Sequence, residues 1–205
     1  PVHARIDVPE MDETKILALE YRETYLWESL DGDWSARNRF NRNGRDGGLT
    51  DRHGGRWEFV PGYFAHTFAK FVSPDQYFAG HPEYFSLVDG KRLKEQSQLC
   101  CTNEDVVRLV TEGVLKIFRE HPEADIVSVS QNDWFNSCEC PKCSALADSE
   151  GTRMAPVLQL VNRVAEAVEK QFPGKSVETL AYQWTRQAPR TMRPRPNVVI
   201  RLCTI

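Results

Sequence analysis

The sequence predicts an α/β fold built on a parallel sheet, and three observations carry that reading. Ile126, Val127 and Val129, separated by small serines, form a short apolar run bounded upstream by His121-Pro122. Such a run suits a strand buried on both faces, where neighbouring layers leave little room for large side chains. Two stretches place apolar residues at helical spacing: Val107, Val110, Val114 and Phe118, then Val157, Val161, Val164 and Val168. Strands alternate with these helices along the chain, which implies βαβ units in an open sheet or a barrel.

Taken in order, residues 1–15 are polar and irregular apart from a short strand expected around Val2–Val8, and read as the end of a preceding segment or linker. Ile16–Tyr25 is expected to be a first strand that turns polar at Glu20, Arg22 and Glu23. A short helix is expected over Asp33–Phe40. Asn41–Gly62 is glycine-rich, lacks an apolar period and is too long for a simple connector, which marks a binding loop or local disorder. Tyr63–Val72 should hold a second strand ending near His66–Phe68, and Pro74–Gly80 a helical turn. His81–Arg92 reads as a hairpin turning at Asp89-Gly90. Gln98–Asn103 is expected to be a third strand running into a helix that Asn103 caps, with Glu104 and Asp105 complementing the dipole. A second long helix spans about Ala155–Gln171 and stops at Pro173-Gly174. Val177–Trp184 and Asn197–Cys203 complete about six strands, so an eight-stranded barrel would be cut short.

Composition excludes some functions. At 205 residues, 40% of them apolar and 27% charged, the chain can bury a core, and its net charge of −3 points to neither a nucleic-acid nor a membrane partner. No segment approaches the roughly 20 apolar residues of a spanning helix. No Gly-x-Gly-x-x-Gly or Gly-Lys-Ser/Thr loop follows a strand, which argues against nucleotide binding. The chain begins at Pro1 and stops inside an expected strand, so it reads as a piece of a longer protein.

The expected strand ends collect Arg22 and Glu23, His66, Asn103, Asn132 with Asp133 and Trp134, Tyr182 with Trp184, and Arg201. In α/β proteins the carboxyl ends of strands carry the chemistry. Hydrogen-bonding groups interleaved with aromatic rings suit a carbohydrate, because rings cover the apolar face of a sugar while polar groups take its hydroxyls. For glycoside hydrolysis Asp133 is the candidate general acid. Asn132 is the candidate amide that orients a substrate N-acetyl group in a substrate-assisted reaction. Such an acid must stay protonated near the working pH, which calls for burial of Asp133 beside Trp134. The competing readings are a turn or cap for Asp133, an ion pair with Glu20 or Glu23 for Arg22, and core packing for Trp184. A carbohydrate-binding domain without catalysis, or a cysteine-stabilised interaction module, are the rival functions.

Six cysteines are present, and Cys138-x-Cys-x-x-Cys143 is compact enough to give three ligands of a zinc site, with Cys100 or Cys101 as the fourth. All-thiolate ligation would make the site structural, and no other cofactor is indicated. The rival is one or two disulfides, favoured if the protein is exported. Either would fix the loop that carries Asp133.

Several segments match a bacterial family in order: Tyr21-Arg-Glu23, His66-Thr-Phe68, His81-Pro-Glu-Tyr-Phe85 with Asp89-Gly-Lys-Arg92, and Gln98-Leu-Cys100. Val129-Ser-Gln-Asn-Asp133 with the cysteine triplet, Leu180-Ala-Tyr-Gln183 and Pro194–Cys203 continue the match. Through them nearly the whole chain resembles the family named domain of unknown function 4838. That resemblance implies a glycoside-hydrolase-like (β/α)8 TIM barrel related to glycoside hydrolase family 163, here over residues 16–205 and truncated after about strand six. It further implies an enzyme secreted by a bacterium, or held in its periplasm or at its surface, acting on a glycan that contains N-acetylhexosamine or uronic acid. Asp133 would then sit on barrel strand four and Arg22 at the end of strand one. Glu23, His66, Trp134, Tyr182, Trp184 and Arg201 complete the expected sugar-holding shell.

Overall fold

Three parallel strands and two long helices frame the molecule. The structure is a computed structural model that describes residues 7, 9–12, 17–19, 21–24, 26–41 and 48–203. Helix α1 (Gly32–Arg37) is capped by Asp31, whose side chain accepts from the Trp34 N–H. Short helices α2 (Phe68–Phe71) and α3 (Pro74–Tyr77) follow. Strands β1 (Leu87–Val88) and β2 (Lys91–Arg92) form the expected hairpin, with Asp89 and Gly90 both at positive φ as the tight turn requires. Helix α4 (Glu104–Glu120) starts where expected, the Asn103 side chain accepting from the N–H groups of Asp105 and Val106.

The parallel sheet consists of β3 (Ile126–Ser128), β4 (Ser176–Ala181) and β5 (Val198–Leu202), in that order. Helices α5 (Pro141–Glu150) and α6 (Met154–Gln171) connect β3 to β4. The apolar stripes of α4 and α6 pack with Val127, Val129, Val177 and Val198 into the main core, as their spacing dictates. Among the described residues no helix is long and apolar enough to cross a membrane.

Several expectations change. The parallel sheet has three strands, and no closed barrel forms among the described residues. Residues 17–19 and 21–24 carry no strand, while Val2–Ile6, Val8, Ile16, Glu20 and Tyr25 lie outside the described residues. The strand expected near His66–Phe68 is a turn into α2. His66 adopts φ 53°, which breaks an extended run, and parallel pairing beside β3 occurs instead at Phe59, opposite Ile126. Gln98–Asn103 contributes only an isolated bridge, Leu99 to Phe85. Helix α5 has no counterpart among the expected elements. Its buried residues, Cys143, Ala147 and Glu150, give no apolar stripe to recognise.

The sheet face away from α4 and α6 is polar at its centre. Alternation along the strands puts Ser128, Glu178 and Arg201 there. Glu178 is fully buried and pairs with the Arg201 guanidinium at 2.9 Å, which also lies over the Phe64 ring at 4.0 Å. Burial raises the Glu178 pKa, and the charge of Arg201 opposes that rise. Arg201→Met should therefore strand a buried carboxylate and cost about 3–5 kcal/mol at high pH. The loss should shrink as pH falls through the raised pKa, because protonation discharges the orphaned group. Urea denaturation at about pH 8 and about pH 5 measures both effects.

Candidate functional site

The carboxyl end of β3 is where the chain spends its buried amides. Ser130 and Gln131 are fully buried. The Ser130 carbonyl accepts the N–H groups of Thr67 and Phe68, both at 3.1 Å, and its hydroxyl accepts the His66 N–H at 2.9 Å. These bonds dock the turn before α2 onto the strand end. Gln131 reaches the other way: its amide donates to the Tyr182 carbonyl at 2.9 Å and accepts from the Thr185 hydroxyl at 2.8 Å. It thus holds the end of β4 against the end of β3.

Gln98, also fully buried, clamps the next residues. Its amide donates to the carbonyls of Asn132 (2.8 Å) and Trp134 (2.6 Å) and accepts the Asn132 N–H (2.9 Å). The Asn132 side chain accepts from the Ala69 N–H at 3.1 Å and donates to the Ser97 carbonyl at 2.8 Å. Its amide is therefore committed at both ends to joining α2 and the Ser97 segment.

Beyond this clamp the chain opens to solvent. Asp133 is exposed and Trp134 is 45% exposed, so the burial that a sequence-based general acid calls for is lacking in the free protein. Asp133 caps no helix; the N-cap of α5 is Cys140. Desolvation raises the Tyr182 pKa, and the neighbouring Asp133 carboxylate raises it further, so the phenol stays a proton donor toward that carboxylate. His66 meets the Tyr182 ring edge-on at 5.9 Å. Its Nδ1 lies 2.9 Å from the Gln131 carbonyl, which can only accept, so Nδ1 carries a proton.

A cleft of about 330 Å³ lies at this end of the sheet. Its lining falls into two sets, His66, Asn132, Asp133 and Trp134 around the strand end and a second wall of Asp75, Lys94, Glu95, Gln96 and Ser97. Lys94 bridges to Asp75 at 2.8 Å. The second wall was missed, since a polar run between a hairpin and Gln98 carries no signal beyond its polarity. Tyr182 and Trp184 adjoin the cleft, the Trp184 indole donating to the Trp134 carbonyl at 3.0 Å.

Arg22, Glu23 and Arg201 are placed elsewhere. The Arg22 guanidinium donates to the carbonyls of Arg39 (2.6 Å) and Leu19, and its backbone N–H to Asn41. Glu23 accepts from the Tyr21 hydroxyl and adds to the upward push on Glu178. Arg201 serves the buried pair. Asn103, the other expected strand-end group, is the cap of α4.

Four cysteines converge beside the cleft. The sulfurs of Cys100, Cys138, Cys140 and Cys143 lie within 4.8 Å of one another, all four buried, and could hold a metal ion. None forms a disulfide: Cys100 stands 3.5 Å from Cys140 and 4.0 Å from Cys143, against about 2.05 Å for a bonded pair. The disulfide expectation is thereby corrected. Hydrogen bonds with Cys100 and Cys143 pull the Cys138 pKa down, while contacts with Cys100 and Cys138 push that of Cys143 up. The fifth candidate, Cys101, faces the helical core instead, where burial raises its pKa.

Removing the Gln98 clamp tests the framework. Gln98→Ala leaves the Asn132 N–H and two carbonyls without their partner, and should cost at least about 2 kcal/mol in urea denaturation.

The sequence profile of one family matches residues 1–205. No curated protein and no solved structure matches the chain. The chain thus belongs to the family described as domain of unknown function, DUF4838.

Proposed function

We propose that the strand-end cleft binds a glycan and that the protein is a glycoside hydrolase with Asp133 as its general acid. The observation that supports this most is the cleft itself, which sets a partly exposed indole beside a carboxylate at the carboxyl end of a buried strand. Trp134 offers a face for a sugar ring, while Lys94, Gln96, His66 and Tyr182 surround it with donors and acceptors. The carboxylates of Asp75, Glu95 and Asp133 outnumber the single ammonium of Lys94, a balance that favours a neutral N-acetylhexosamine over a uronic acid.

In the reaction, the Asp133 carboxyl gives its proton to the glycosidic oxygen as the C–O bond breaks. The carbonyl oxygen of the substrate's own acetamido group closes on the anomeric carbon, and water later opens that ring. Asn132 acts by fixing the loop, since its amide is already engaged on both sides. The resemblance to (β/α)8 glycoside hydrolases is consistent with a parallel sheet whose strand ends carry these groups. The same reading includes a structural zinc ion held by the four clustered cysteines.

A second reading, binding without hydrolysis, draws on the exposure of Asp133 in the free protein. The test uses N-acetylchitooligosaccharides and a nitrophenyl N-acetylglucosaminide with the chain and its Asp133→Asn variant. Hydrolysis that falls by about 10²-fold or more, with affinity retained, is the expected result. Binding with no hydrolysis in either protein selects the second reading, and neither binding nor hydrolysis rejects both.

A further inference from the structure

The sulfur cluster does more than pin a loop, because its ligands come from the two chain segments that continue the walls of the cleft. Cys100 lies two residues beyond Gln98, on the segment that continues the wall of Lys94, Glu95, Gln96 and Ser97. Cys138 lies at the end of the loop that carries Asp133 and Trp134. Between the two segments run hydrogen bonds from Gln98 to Asn132 and Trp134, and from the Asn136 amide to the Gln96 carbonyl at 3.0 Å. The hairpin is attached at the same point: the Glu139 N–H donates to the Leu87 carbonyl at 2.7 Å and the Leu87 N–H to the Cys138 sulfur at 3.5 Å.

The cluster's dimensions suit a tetrahedral ion. With metal–sulfur bonds of about 2.3 Å, the sulfurs of a tetrahedral site stand about 3.8 Å apart. The separations of 3.5 and 4.0 Å bracket that value. Four thiolates exceed the charge of one divalent ion by two, and donors stand around the sulfurs to offset the excess. The Arg92 guanidinium is 3.8 Å from Cys138, and the Thr102 hydroxyl 3.2 Å from Cys143. Soft sulfur ligands in a closed tetrahedron select zinc and leave no position for a substrate.

We infer that one zinc ion on Cys100, Cys138, Cys140 and Cys143 is the clasp that holds the two walls of the cleft together. Glycan binding then depends on a metal that never touches the glycan. The first half stands on the sulfur geometry alone; the dependence of glycan binding rests on the reading of the cleft as a sugar site. Without the ion, Cys100 keeps only weak sulfur hydrogen bonds to Cys140 and Cys143. The walls are then held by these and by the hydrogen bonds from Gln98 and Asn136. The core of α4, α6 and β4 shares no residue with the sulfur cluster and keeps its own packing.

The test is elemental analysis of the whole chain purified under reducing conditions, followed by hydrogen exchange before and after metal removal with an organomercurial and a chelator. One equivalent of zinc is expected. Its removal should cost protection in residues 94–102 and 132–143 together, while amides of β4 and α6 keep theirs, and added zinc should restore it. Replacement by Co²⁺ should give the intense visible absorption of a tetrahedral thiolate site, and Arg92→Gln should lower metal affinity about 10-fold or more. A chain that takes up neither zinc nor cobalt overturns the inference. So does a metal whose removal loosens residues 138–143 alone and leaves residues 94–97 protected. The N-acetylchitooligosaccharide titration separates the two claims. Zinc-dependent walls with no binding in the loaded protein leave the clasp standing and remove the sugar reading. Equal binding with and without zinc removes the dependence of glycan binding on the clasp.

Discussion

A parallel strand that ends inside a protein still has backbone donors and acceptors to satisfy, and the end of β3 meets that demand with buried amides. Gln131 ties it to β4, Gln98 ties it to the segment before α4, and Asn132 ties it to α2 and Ser97. Gln98 and Gln131 are themselves buried, where an unpaired amide or carbonyl costs about 1–3 kcal/mol. The three side chains therefore fix where the chain can emerge. It emerges at Asp133 and Trp134, and the cleft lies there.

This division of labour separates two kinds of polar residue that look alike in a sequence. Gln131 and Asn132 are polar because a strand end needs partners; Asp133 and Trp134 are left exposed at the cleft. Glu178 and Arg201 form a third kind. They neutralise each other on the sheet face opposite the helices, where a carboxylate alone would be expensive. The cysteines repeat the pattern at another edge, four sulfurs gathered from two segments while Cys101, one residue from Cys100, packs into the apolar core.

Local signals were the legible part of the sequence. Asn103 before an acidic first turn, Asp89-Gly90 between short strands, and valines at helical spacing each state their structure within a few residues. The strand β3 was also readable, because buried strands leave short apolar runs that end in polar groups. What depended on distant pairing was not. Tyr63–Phe68 has the aromatic content of a strand, yet Phe59 takes the place beside β3 and His66 turns away. Arg22 looked like a strand-end cation, but it braces Leu19 and Arg39. The wall from Lys94 to Ser97 becomes a wall only when Gln98 and Asn132 bring it to the strand end.

The central claim is that the exposed groups at this strand end meet a sugar, and an NMR titration addresses it most directly. The Trp134 indole N–H and the backbone amides of the chain would be followed while N-acetylchitooligosaccharide is added. The account predicts shifts concentrated at Trp134, Asp133, His66 and Lys94–Ser97, with α4 and α6 unmoved. Shifts centred elsewhere, or none at saturating sugar, would contradict it.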